Sequence, residues 1–305
     1  MSQTMHRSTL WMWARLLAGA AILAALVWRQ GADPFVDGLS LTSPAALLTA
    51  LVITAGTTLA CAWRWSLVAQ RLGVAVPLAT AVAAYYRSQF LNATLPGGVL
   101  GDVHRGVSHG RETRAMGRGL RSVAWDRAIG QAVQAVLALA AVALLVPSVR
   151  TPLATASVLA VAVSAFVWAT LPRKAKDVLA EEARLLKDVW PQLTLASALA
   201  AAGHVVVFVV AARTVGVDAP LATLGALALV ILLVSAVPIG IAGWGPREGA
   251  AAWVFGAVGL GAAQGLTVAV AYGVMALVAT LPGAILFVRR RDGVRAKEPE
   301  EVAHV

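Results

Sequence analysis

Two short passages carry most of the groups in this chain that can handle charge. They are "LPGGVLGDVHR", residues 95 to 105, and "VPIGIAGWGPRE", residues 237 to 248. With Pro96 placed on Pro238, Gly98 falls on Gly240, Gly101 on Gly243, and Arg105 on Arg247. Both then read P-x-G-x-x-G-x-x-x-R. Glycine permits positive φ and close approach of backbone. Amides at the start of a helix attract anions, and the arginine fork matches a phosphate. Asp102 and Glu248 adjoin the two arginines and can hold them until a ligand arrives. The chemistry on offer is electrostatic capture of an anion, with Asn92, Gly98, Gly101, Asp102, Arg105, Gly243, Gly245, Arg247 and Glu248 as candidate binding residues. A plainer reading competes: the glycines only allow helices to pack closely, and Arg105 only follows the bias of basic residues to the inner loops.

Asp126 and Arg127 add a second acid–base pair, two turns into an apolar stretch. Arg127, Gln131 and Gln134 follow at helical spacing and form a polar stripe. A charge near the bilayer centre costs about 2.5–3.5 kcal/mol on insertion scales, a cost that a polar cavity reduces. The pair therefore either binds ligand or ties helices together. Tyr85, Arg87, Gln89 and Asn92 precede the first glycine passage and can line the same cavity. His204 is a lone histidine in an apolar run and reads as a packing residue before a proton carrier. No Walker loop, dinucleotide fingerprint, zinc-protease helix or serine elbow is present, so no cofactor and no metal is expected. The single cysteine, Cys61, allows no intrachain disulfide.

The elements that must position these residues are membrane helices. Of 305 residues, 59% are hydrophobic and only 13% charged, against about 25% charged in a soluble domain. The net charge of +10 sits in loops and tails, which fits the positive-inside pattern and gives no reason to expect nucleic acid. A span needs about 20 apolar residues. Segments 11–28, 45–68, 120–146, 152–171, 192–212 and 264–288 qualify, the first as a retained helix and not a cleaved signal. Loops 104–121 and 173–190 and the stretch after 288 are basic and read as cytoplasmic, whereas 29–44, 147–151 and 213–220 read as external. Both termini are then cytoplasmic.

This bookkeeping closes if segments 74–110 and 220–260 each enter and leave on one side. The predicted fold is an all-α polytopic bundle of about six spans plus two re-entrant hairpins related as an inverted repeat. Broken backbone at membrane depth requires burial in protein or a watery cavity, and inverted repeats with broken helices are a transporter pattern. Full spanning of one or both segments is the alternative. Residues 173–190 read as an interfacial helix, with Val178, Leu179, Leu185, Leu186 and Val189 on one face and pairs Glu181–Arg184 and Arg184–Asp188 opposite. Tryptophans 11, 13, 28, 63, 65, 168 and 190 read as an interfacial belt. Residues 1–291 form one transmembrane domain, and 292–305 are expected to be a disordered cytoplasmic tail.

Residues Arg64–Trp65, "FLNATLPGGVLGDVHR" at 90–105, "SVAWDRAIG" at 122–130 and "GWGPREGA" at 243–250 occur in an order that resembles the lysylphosphatidylglycerol synthetase transmembrane-domain family. The resemblance covers roughly residues 11 to 290. It implies an acid–arginine pair at Asp126 and Arg127 and a glycine–x–glycine–x–x–glutamate at Gly243, Gly245 and Glu248. It also implies a lipid-flipping membrane domain. Leu100 departs from a common glycine, and Trp244 and Pro246 replace smaller or aliphatic residues. No soluble catalytic domain follows Arg291, so aminoacyl transfer is not expected.

Three functions follow as expectations. The first is a flippase or transporter in the cell membrane for a polar lipid with an anionic or phosphate-bearing headgroup. The second is an integral-membrane enzyme on a lipid-linked substrate, with Asp102, Asp126 or Glu248 as acid or base. The third is a non-catalytic subunit that partners a lipid- or glycan-modifying enzyme.

Overall fold

Proline and glycine punctuate the chain into helices. The computed structural model describes residues 17, 20–95, 98–237 and 244–286. The apolar helix α1 (Ala20–Gln30) precedes a short α2 (Asp33–Ser40). Ser43 then accepts from the Ala46 amide at 3.2 Å, and Pro44 occupies the first turn, so α3 (Pro44–Arg71) starts there. Pro77, Pro172 and Pro220 immediately precede α4 (Leu78–Thr94), α8 (Arg173–Leu186) and α10 (Leu221–Ser235). The remaining helices are α5 (Leu100–Glu112), α6 (Met116–Leu145), α7 (Arg150–Thr170), α9 (Trp190–Thr214), α11 (Pro246–Ala257) and α12 (Ala262–Thr280).

The chain is an integral membrane protein. Four helical stretches are long and apolar enough to cross a bilayer: Pro44–Arg71, Met116–Leu145, Arg173–Thr214 and Ala262–Leu286. They cover the predicted spans 45–68 and 192–212 and most of 120–146 and 264–288. The predicted span 152–171 is the 21-residue α7. The predicted span 11–28 lies partly outside the described residues, as do the turn residues Pro96, Gly97 and 238–243 and the tail from 287.

The two glycine passages each join two short helices. α4 and α5 have 17 and 13 residues, and α10 and α11 have 15 and 12. At about 1.5 Å per residue none reaches the roughly 30 Å of a hydrocarbon core. α4 packs on α5 and α10 on α11. Gly101 makes the first contact close, because a Cβ there would lie 2.0 Å from the Ser88 carbonyl oxygen.

Packing in the two halves corresponds pair by pair. α3 contacts α4, α5 contacts α6, and α3 contacts α6; likewise α9 contacts α10, α11 contacts α12, and α9 contacts α12. Across the halves α6 meets α10, α12 meets α4, and α3 lies against α9. The correspondence reaches the sequence at "GVAVPLAT", 73–80, and "GVDAPLAT", 216–223. Gly73 and Gly216 have φ of 71° and 80° and terminate α3 and α9. Val74 N donates to Ala69 O and Val217 N to Ala212 O, both at 2.9 Å, which is the same left-handed cap twice. Sequence reading that began from the charged passages overlooked this second pair.

The 173–190 stretch differs in detail from its expected pattern. α8 runs through a short turn, Lys187–Val189, into α9. Leu186 and Val189 are buried, while Val178 and Leu185 stay exposed. Charge partners come from other helices: Glu182 is buried because Arg121 Nε donates to it at 2.6 Å and Trp125 Nε1 at 3.0 Å. Asp188 pairs with Arg71 at 3.9 Å.

Candidate functional site

The first passage is stapled by Asn92. Its Oδ1 accepts from Gly101 N at 2.8 Å, and its Nδ2 donates to Asp102 Oδ2 at 2.8 Å. Ser88, one turn earlier on α4, donates to Asp102 Oδ1 at 3.0 Å. Asp102 thus sits in the first turn of α5, where the helix dipole favours it. The turn is closed by Gly98 at φ 62°. Since Asn92 takes the Gly101 amide and Val99 O takes those of Asp102 and Val103, these helix-start donors are satisfied internally.

Arg105, three residues on, enters a buried network. Its Nη2 donates to Asp102 Oδ1 and Asp126 Oδ2, each at 3.0 Å. Arg64 Nε donates to Asp126 Oδ1 at 2.7 Å and its Nη1 to Ser197 Oγ at 3.0 Å. Tyr85 donates its hydroxyl to Asp126, and Arg127 pairs with Asp102. Three arginines therefore share two aspartates. Gly130 makes this possible, because a Cβ there would come within 2.6 Å of Arg64 Nη1. The Arg105 guanidinium carbon lies 3.9 Å from the Tyr85 ring centre and 4.6 Å from that of Trp65. Among the described residues its Nε and Nη1 have no hydrogen-bond partner. The aromatic faces answer part of that charge. Removing one partner from such a buried set costs about 3–5 kcal/mol.

This geometry corrects two expectations. Arg105 is not a loop charge, as the plainer reading had it; it is 2% exposed, and Arg64 is buried beside it at 6%. Trp65 does not belong to an interfacial belt. It is 1% exposed, donates to Ser122 Oγ at 3.1 Å and stacks edge-on with His109. The sequence signal for Arg64 was its position inside a predicted span, where a charge calls for a partner.

The second passage is built differently. Pro246 opens α11, and Glu248 Oε2 accepts from Gly245 N at 2.7 Å. Glu248 Oε1 accepts from Arg247 Nε at 2.9 Å and Nη2 at 2.5 Å. Glu248 is fully buried. Gly245, at φ 116°, adopts a conformation that side chains avoid. Arg247 crosses to α12, where Gly273 clears its path: a Cβ there would lie 2.3 Å from Arg247 Nη2. Trp244 and Tyr272 flank the guanidinium, with ring centres 5.0 and 5.6 Å from its carbon.

Both passages open onto one cavity of about 330 Å³. Gln89, Asn92 and Gly98 line it from the first, and Ser235, Trp244 and Arg247 from the second. α3, α9 and α12 supply Thr54, His204 and Tyr272. Tyr272 OH lies 3.3 Å from His204 Nδ1, so the histidine is a cavity residue with a partner. Of the predicted residues, Asn92, Gly98 and Arg247 face this cavity, and Glu248 and Gly245 brace Arg247. Asp102, Arg105, Asp126 and Arg127 form the network behind Asn92. Gly101 sets the packing of α4 on α5. Gly243 lies outside the described residues. Trp244, Tyr272 and Ser197 were not singled out from sequence as site residues, since aromatic and hydroxyl residues in apolar helices have no distinguishing pattern.

No curated protein matches the chain. The family described as Lysylphosphatidylglycerol synthase TM region matches residues 12–283, a stretch holding both glycine passages, the buried network and the cavity wall. The chain belongs to the lysylphosphatidylglycerol synthase transmembrane-region family.

Proposed function

We propose that this protein is a transporter that moves a lipid with an anionic or phosphate-bearing headgroup between the leaflets of the cell membrane. The observation that carries the reading is the shared cavity, with its arginine and neutral polar wall, bounded by both glycine passages. A headgroup needs such a polar chamber, while its acyl chains stay in lipid. The helices are apolar on the outside: Leu48, Val52 and Leu59 on α3 and Leu195 and Leu199 on α9 are exposed. The short arms of α4–α5 and α10–α11 support two re-entrant hairpins. The pairwise correspondence of contacts and the doubled "GVxxPLAT" turn support an inverted repeat. In this reading the basic ends of α5, α6 and α8 and both chain termini are cytoplasmic.

The enzyme alternative gains nothing from the acids. Asp102, Asp126 and Glu248 are each held by arginine, which suits charge holding better than proton transfer. Purified protein in vesicles, assayed for lipid movement leaflet by leaflet, tests the proposal. Wild type should speed exchange of an anionic phospholipid, and well-folded Arg247→Ala should not.

A further inference from the structure

A second, smaller cavity lies within the α4–α5 hairpin, and none of its described lining residues is shared with the central one. Thr80, Ala84 and Arg87 wall it from α4, and His104, Arg105 and Ser108 from α5. Its volume of about 20 Å³ has room for one particle the size of a water molecule.

Arg105 is the group on this wall that calls for a ligand. It is buried, and among the described residues its Nε and Nη1 have no hydrogen-bond partner. Nη2 alone serves Asp102 and Asp126. The Tyr85 and Trp65 rings beside the guanidinium offset part of its charge and leave those two donors unanswered. Arg64 pairs with Asp126 and Arg127 with Asp102, so Arg105 is the third cation on two acids, and the network carries one surplus positive charge. Arg87 and Glu112 both line the cavity with opposite charges and leave that surplus unchanged. Glu112 is the one carboxylate among the described lining residues. It is exposed, about two turns along α5 from Arg105, and accepts from Ser108 Oγ at 3.5 Å.

We propose that this cavity binds one chloride-sized monoanion on the spare Nε and Nη1 donors of Arg105. A neutral water would satisfy the donors and leave the buried charge uncompensated. A tetrahedral oxyanion is too large for the space. The ion completes a network that joins α3, α4, α5 and α6 through Arg64, Tyr85, Arg105 and Asp126. Its binding is therefore read as stability of the folded chain.

The test follows melting of the purified full chain in detergent, with sodium gluconate replaced stepwise by sodium chloride or bromide at constant ionic strength. Gluconate is too bulky for the cavity. The melting temperature should rise with halide, by at least about 2 °C between 10 and 300 mM. Ala84→Leu and Ser108→Leu each put a larger side chain into the space while keeping every charge of the network, and the halide-dependent rise should vanish in both. Ser108 is only partly buried, so its variant keeps the test available where Ala84→Leu fails to insert. Wild-type melting no higher in halide than in gluconate would mean a water only and would overturn the proposal. A halide-dependent rise that persists in either folded variant would place the ion elsewhere and overturn it equally.

Discussion

At the scale of single residues, the two arginines of the passages do different work. Arg105 is locked between two aspartates and two aromatic rings. Arg247 has one acid and a cavity. The distinction rests on Gly273, whose missing side chain is the space Arg247 occupies. Gly273→Ala therefore gives a sharp expectation. Alanine favours the helix by about 1 kcal/mol over glycine, but the guanidinium it displaces is bonded to buried Glu248. The variant should insert and fold with a melting temperature somewhat below wild type, and lose most lipid movement as the guanidinium is displaced. Wild-type transport in that variant would detach Arg247 from function. Arg247→Lys keeps charge without the fork and should restore only part of the activity lost in Arg247→Ala.

At the scale of elements, the sequence made the existence of the helices plain and left their meeting points hidden. Continuous apolar runs placed α3, α6 and α9 within a few residues. Asp126 and Arg127 were visible as intramembrane charges that bind ligand or tie helices together, but their partners were not legible. On a helix, neighbours point about 100° apart, so each reaches a different partner: Asp126 takes Arg64 and Arg105, and Arg127 takes Asp102. Such long-range partners, from α3 to α6 and α5 to α6, depend on tertiary packing that no local pattern encodes. The convergence of the two hairpins is testable at this scale. With Cys61 replaced by Ala, cysteines at Ala93 and Ser235, both on the cavity wall, should cross-link within one chain using short bifunctional reagents. Consistent failure in folded protein would separate the two passages.

At the scale of the whole molecule, residues from both glycine passages and from α3, α9 and α12 line one cavity of about 330 Å³. Orientation is an expectation from loop charge. A cysteine at position 148 should react with an impermeant reagent from outside intact cells, and one at 176 only after permeabilisation; the reverse pattern would invert the topology. The central claim is that the chamber carries a headgroup across the membrane. The most direct measurement is the rate at which labelled phosphatidylglycerol exchanges leaflets in vesicles holding purified wild type, Arg247→Ala or no protein. Exchange accelerated by wild type and reduced to the protein-free rate by folded Arg247→Ala is the predicted result. Wild-type vesicles no faster than empty ones, or Arg247→Ala as fast as wild type, would contradict it.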